Sequence, residues 1–140
     1  MAVRVPLRLR SDDGHEVETV AVLNGGFEVS VPHLLLPARC AEALFPDYRQ
    51  HAVARQYQAA GGTPLPLLRL AQTVAACVIA GRREGPSTRL HVLISETERE
   101  ALVSDSGIDA LRIHIESFSP GRWRLHGEKR RRPTARPRYW

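Results

Sequence analysis

Cysteine, methionine, lysine and aromatic residues are all scarce in this chain. Two cysteines, Cys40 and Cys77, exclude a scaffold stapled by several disulfides. They are too few and too far apart to build a zinc site without histidine help. They fit reduced core thiols, and a single disulfide stays open because spacing alone cannot decide it. The six histidines, at positions 15, 33, 51, 91, 114 and 126, show no metal-ligand spacing such as His-Glu-x-x-His. No metal and no cofactor is therefore expected. Long apolar runs are missing too. The longest nearly uncharged stretch, "LAQTVAACVIAG", has about half the length of a membrane-spanning helix, so no membrane partner is expected. The start, "MAVRVPLRLRSDDG", has no apolar region of the secretory kind, and the expected location is cytoplasmic.

What is present suits one domain. A chain of 140 residues that is 43% hydrophobic can bury a sizeable core. Its charge is unevenly placed. Residues 122–140 hold 8 of the 20 basic side chains and one acid, whereas residues 1–121 hold 12 basic and 14 acidic ones. The sequence pI of about 10.0 therefore belongs to the C-terminal end. We divide the chain into a β domain, residues 1–127, and a basic Arg-rich tail, residues 128–140.

Alternation dominates the first part. "VRVPLRLRS" and "EVETVAVL" read as strands, separated by the turn "SDDGH". After Asn24-Gly25, the usual mark of a tight hairpin, "FEVSV" places Phe27, Val29 and Val31 on one face of a further strand, which Pro32 ends. "LPARCAEALF" predicts a short helix with Pro37 in its first turn and Leu36, Cys40, Ala43 and Leu44 on one face. The segment from Tyr48 to Gly81 predicts two strands around a turn at Gly61-Gly62. "TRLHVLIS" is another strand, "EALVSDSGIDALRI" a short apolar strand and brief helix, and "IHIESFSPGRWRLHG" a hairpin around Ser119-Pro120-Gly121. Short strands with few helices indicate a mostly-β sandwich or barrel.

The order of these segments resembles that of the retropepsin-like aspartic proteases, in particular their small prokaryotic single-domain members. "VETVAVLNGG" stands where that family has an apolar strand followed by Asp-Thr/Ser-Gly. "VSVPHLLLPARCAEALF" matches its second strand, proline and helix, and "QAAGGTPLP" the Gly-centred flap at Gly61 and Gly62. "EALVSDSGIDALRIHI" with "SPGRWRL" matches the late apolar pair, short helix and closing strand. The resemblance spans residues 3–126 and implies a mainly-β acid-protease half-barrel that pairs as a homodimer over a cleft.

The departures fall on the chemistry. Asn24 replaces the catalytic Asp, Gly25 replaces Thr or Ser, and only Gly26 is retained; Phe27 follows in place of a small residue. The family's apolar-apolar-Gly becomes Leu102-Val103-Ser104. Two carboxylates sharing one proton supply the base and the acid in such sites. An amide has a carboxyl's shape but no basic form near neutral pH, so the Asn24-Gly25-Gly26 position is expected to be degenerate. Asp105-Ser106-Gly107 spells the protease triplet, but too little chain follows it for a flap, and it reads as the start of the late helix with Asp105 or Ser106 near its cap. Ser30 and Cys40 have no evident base partner.

The leading expectation is a non-catalytic protein of the aspartic-protease fold, binding a peptide or protein in the cleft. One alternative is an active endopeptidase, through deamidated Asn24 or another acid. The other is a nucleic-acid-binding module. There Arg130, Arg131, Arg132, Arg136 and Arg138 would meet phosphates and Tyr139 and Trp140 would stack on bases.

Overall fold

The computed structural model describes residues 2–58 and 61–140. The chain is mainly β. In order, its elements are β1 (Arg4–Arg10), β2 (Glu16–Leu23), β3 (His33–Pro37), α1 (Ala38–Leu44), α2 (Tyr48–His51), β4 (Val53–Gln58), β5 (Pro64–Ala80), β6 (Arg83–Glu84), β7 (Thr88–Ser95), β8 (Ala101–Val103), α3 (Asp105–Ala110), β9 (Ile113–Phe118), β10 (Gly121–Leu125) and β11 (Arg132–Pro133). None of the described helices is long and apolar enough to cross a membrane.

Six strands close into a barrel in the order β1-β2-β8-β3-β7-β5, with Leu7–Arg10 of β1 returning to Ala75–Val78 of β5. Closure pairs every strand of the ring on both sides and leaves no edge there. The alternation in β1 explains its place: Val5, Leu7 and Leu9 are fully buried inside the barrel, and Arg4, Pro6 and Arg8 look outward. From β5 and β7, Val74, Val78, Leu90 and Val92 complete the same core. Helix α1 adds Cys40, Ala41 and Leu44 to it.

Two pairings in the ring are parallel. Ala21–Leu23 lie beside Ala101–Val103, and His33–Pro37 lie beside His91–Ser95. Strand β3 runs antiparallel to β8 between them. The Asn-Gly step is therefore no hairpin. Strand β2 hands over to a loop, residues 24–32, and not to an antiparallel partner. "FEVSV" lies in this loop instead of forming a strand. The strand begins at His33, and Leu36 and Pro37 belong to it, with helix α1 starting one residue later. The expected strand from Tyr48 is preceded by a single turn of helix, Tyr48–His51.

Strand β4 stands outside the ring. It pairs with Pro64–Arg69 of β5, and its other edge has no strand beside it among the described residues. The turn of this hairpin includes Gly61 and Gly62, both with positive φ, +85° and +80°. Ala59 and Ala60, also part of the expected flap, lie outside the described residues.

A second, three-stranded sheet, β9-β10-β11, carries the C-terminal part. Its Trp123 is 2% exposed, and the indole N–H donates to the Pro133 carbonyl at 3.1 Å. Beyond β11 the tail runs back along the barrel. Arg4 N–H donates to Thr134 Oγ1 at 2.7 Å, and Ala135 N–H donates to the Arg4 carbonyl at 2.9 Å. Trp140 ends the path, its backbone N–H on the Arg99 carbonyl at 2.9 Å and its indole N–H on Thr19 Oγ1 at 3.0 Å. Backbone pairing and two tryptophans thus hold a segment with little apolar content of its own.

Candidate binding cleft at the Asn24 loop

The last residues of β2 deliver Asn24 to the rim of the barrel. Its backbone N–H continues the parallel ladder by donating to the Val103 carbonyl at 3.0 Å. Its side chain then closes a local turn: Asn24 Oδ1 accepts the Gly26 N–H at 3.1 Å, and the Asn24 carbonyl accepts the Phe27 N–H at 3.0 Å. Asparagine makes such a turn readily because its side-chain oxygen mimics a backbone carbonyl.

The rest of the loop is fastened to the β8–α3 junction. Asp105 N–H donates to the Phe27 carbonyl at 3.0 Å, and Asp105 Oδ1 accepts the Val29 N–H at 3.1 Å. The helix cap is Ser104, directly before Asp105, so Asp105 and Ser106 lie in the first turn beside it. Ser104 Oγ accepts the Gly107 N–H at 3.1 Å. The same oxygen accepts the His33 N–H at 3.0 Å. Gly107 must be small, since a Cβ there would come within 2.8 Å of Val103 Cγ1 and 3.2 Å of the His33 carbonyl. The triplet Asp105-Ser106-Gly107 thus has a clear structural task, positioning the Asn24 loop.

His33 sits behind this loop. Its ring lies 5.3 Å from that of His91 and 6.3 Å from that of Phe27. Its Nδ1 donates to the Val31 carbonyl at 2.6 Å. Burial, with smaller contributions from His91 and Arg69, holds its pKa below the ordinary imidazole value despite that bond.

Between the Asn24 loop and the β4–β5 hairpin lies a cleft of about 510 Å³. A small apolar cluster underlies it: Leu35, Leu67 and Leu93 are buried, with Phe27, Tyr57, Leu65 and Leu102 half-buried against them. Asn24, Glu28, Gln58 and Glu98 supply its polar groups. The structure therefore brings Asn24 and Gly26 to the cleft wall. Gly61 and Gly62 are at the hairpin's turn and do not line the cleft.

No family model and no curated protein matches this chain.

What the cleft can do follows from its walls. It offers apolar surface, the neutral amide of Asn24, and two exposed carboxylates, Glu28 and Glu98. No group of three or more His, Cys, Asp or Glu side chains among the described residues is placed to hold a metal ion. Sequence reading missed Tyr57 and Glu98. The only sign of Tyr57 was its place in "VARQYQ", where it is the one half-buried side chain of an otherwise exposed strand. Glu98, in an irregular connection, carried no sign at all.

The tail arginines are elsewhere. Arg132 pairs with Glu128 through two bonds of 3.1 and 2.7 Å and lies 6.0 Å from the Trp123 ring. Arg138 covers Trp140 at 4.5 Å. Arg131 reaches Glu116 only at 3.9 Å, and Arg130 and Arg136 are exposed. Five arginines in one segment are thus spread between internal ion pairing, stacking and solvent. Both cysteines are free thiols, and burial pushes the Cys40 thiol up to about 12.

Proposed function

We propose that this chain is a non-catalytic protein of the retropepsin-like aspartic-protease type that holds an extended peptide or protein segment in the Asn24 cleft. The observation that carries the reading is the cleft itself, apolar at its base and bordered by a hairpin whose outer strand, β4, has no second strand partner among the described residues. An extended segment gains main-chain hydrogen bonds from such an edge and side-chain burial from the pocket beside it. In the freshly made chain Asn24 supplies the wall with a neutral group, so the cleft can retain a peptide without hydrolysing it. The carboxylates that line the cleft among the described residues, Glu28 and Glu98, favour a ligand with a basic residue next to its apolar anchor. Pairing of two chains over a shared cleft is part of the proposal.

The experiment is a pair of assays on freshly prepared protein. A library of extended peptides is titrated against the wild type and against Leu65→Glu, which places a charge on the apolar wall. Peptides with an apolar residue beside Arg or Lys are expected to bind the wild type and to lose affinity for the variant. In parallel, proteolysis is followed at acid and neutral pH for the wild type, Asn24→Asp and Asn24→Ala. Turnover by the wild type that disappears in Asn24→Ala would overturn the non-catalytic reading. Sedimentation at increasing concentration tests the pairing.

A further inference from the structure

We propose that Asn24 is a self-converting site, at which the native loop turns the side-chain amide into a carboxylate by closing a ring with the Gly25 backbone nitrogen. Four features of the loop converge on this chemistry. Gly25 has no Cβ, and nothing lies within 4 Å of the place one would occupy, so the approach to its nitrogen is open. Its N–H makes no hydrogen bond among the described residues, whereas the neighbouring N–H groups of Asn24, Gly26 and Phe27 all do. An amide nitrogen without an acceptor is the one free to lose its proton and attack. The electrophile is prepared as well: Asn24 Oδ1 accepts the Gly26 N–H, which draws electron density from Cγ. Finally, Asn24 is half-buried and Gly25 exposed at the mouth of a cleft, within reach of water.

The step balances without any reagent beyond water. The deprotonated Gly25 nitrogen attacks Asn24 Cγ, forming a C–N bond. The bond from Cγ to Nδ2 breaks, and Nδ2 leaves as ammonia with the proton taken from Gly25. Water then opens the five-membered imide. Addition at Cγ gives aspartate. Addition at the Asn24 main-chain carbonyl carbon gives isoaspartate, with the main chain rerouted through Cβ. Either product places a third carboxylate on a cleft that already carries Glu28 and Glu98.

The chain suits a direct test, because Asn24 is its only asparagine. Protein is incubated at mildly alkaline pH and body temperature, digested with trypsin, and the peptide 11–39 is weighed over several weeks. A gain of about 1 Da at residue 24, as an amide becomes a carboxyl, is expected. Isomerisation at Asp13-Gly14, in the same peptide, changes no mass and does not interfere. Gly25→Ala is the decisive variant. Its Cβ enters open space and its φ is not in the left-handed region, so the fold and melting temperature are retained while ring closure is hindered. Conversion several-fold slower in Gly25→Ala than in the wild type supports the proposal. Equal rates in the two proteins would overturn it, by showing that Gly25 nitrogen is not the nucleophile. So would an unconverted wild type beside rapid conversion of the same chain in urea, which would show that the native loop protects Asn24.

Discussion

Ser104 and His33 are joined twice. Ser104 Oγ accepts the His33 N–H at 3.0 Å, and Ser104 N–H donates to the His33 carbonyl at 3.1 Å. One buried hydroxyl therefore serves the first residue of β3 and the cap of α3 together. Ser104→Ala leaves two N–H groups without their acceptor. We expect a loss of about 1–2 kcal/mol in urea denaturation, with Ser104→Thr costing less if its methyl is accommodated. Faster amide exchange at His33 and Gly107 should accompany it.

Glu128 gives a defined acid limit. Its carboxylate is 6% exposed, bonded by Arg132 at 2.7 Å, and its pKa is lowered to about 2, first by the Arg132 hydrogen bond. A folded value below the ordinary 4.5 means that this contribution to stability is complete above pH 4.5 and is lost as pH falls toward 2. Glu128→Gln should be less stable than the wild type at neutral pH, by roughly 1–2 kcal/mol, and the difference should shrink through that window. Melting curves of the two proteins from pH 7 to pH 2 check it.

His33 behaves in the same sense at higher pH. Burial lowers its pKa from 6.5, so the unfolded chain takes up the proton first. Stability is full above pH 6.5 and declines as pH drops from there to the folded value. In an NMR titration the His33 ring should titrate below 6.5. His91→Gln should raise its midpoint by removing the His91 contribution that lowers it, though only in part, because burial is the larger cause.

The cysteines should differ in reactivity. Cys40 is completely buried, and its thiol is raised to about 12, so almost no thiolate exists at pH 8. Cys77 is half-buried, its pKa raised to a smaller extent. A disulfide reagent applied to the native protein should label Cys77 first and reach Cys40 only on unfolding, as peptide mapping will show.

Much of the barrel was legible. Strands β1 and β2 keep a period of two because one face meets the core and the other meets water. Strands β4 and β5 announce their turn with Gly61-Gly62, and β9 and β10 with Pro120-Gly121. The region from Asn24 to Pro37 was misread for two physical reasons. Leu34, Leu35 and Leu36 are buried on both faces of a strand set between β8 and β7, so their continuous apolar run has no period to separate strand from helix. The alternation in "FEVSV" is real but finds no strand partner. Phe27 N–H goes to the nearby Asn24 carbonyl, and the Phe27 carbonyl and Val29 N–H go to Asp105, a long-range pairing that local pattern does not encode. The tail carried the opposite difficulty: polar composition hid a docking that depends on Trp123, Thr134 and Trp140.

The two parallel pairings also set an order of events in folding. Ala21 faces Ala101, and Leu34 is held between Val92 and Val103. Strands β1 and β2 can zip as a local hairpin, and so can β4 with β5, soon after each leaves the ribosome. The Asn24 loop cannot, because Val103 and Asp105, which hold Asn24, Phe27 and Val29, come nearly eighty residues later. Long loops must close before those contacts reward the cost. The cleft should therefore form later than these hairpins. A nascent chain halted ahead of β8 would display finished hairpins around a binding site that does not yet exist.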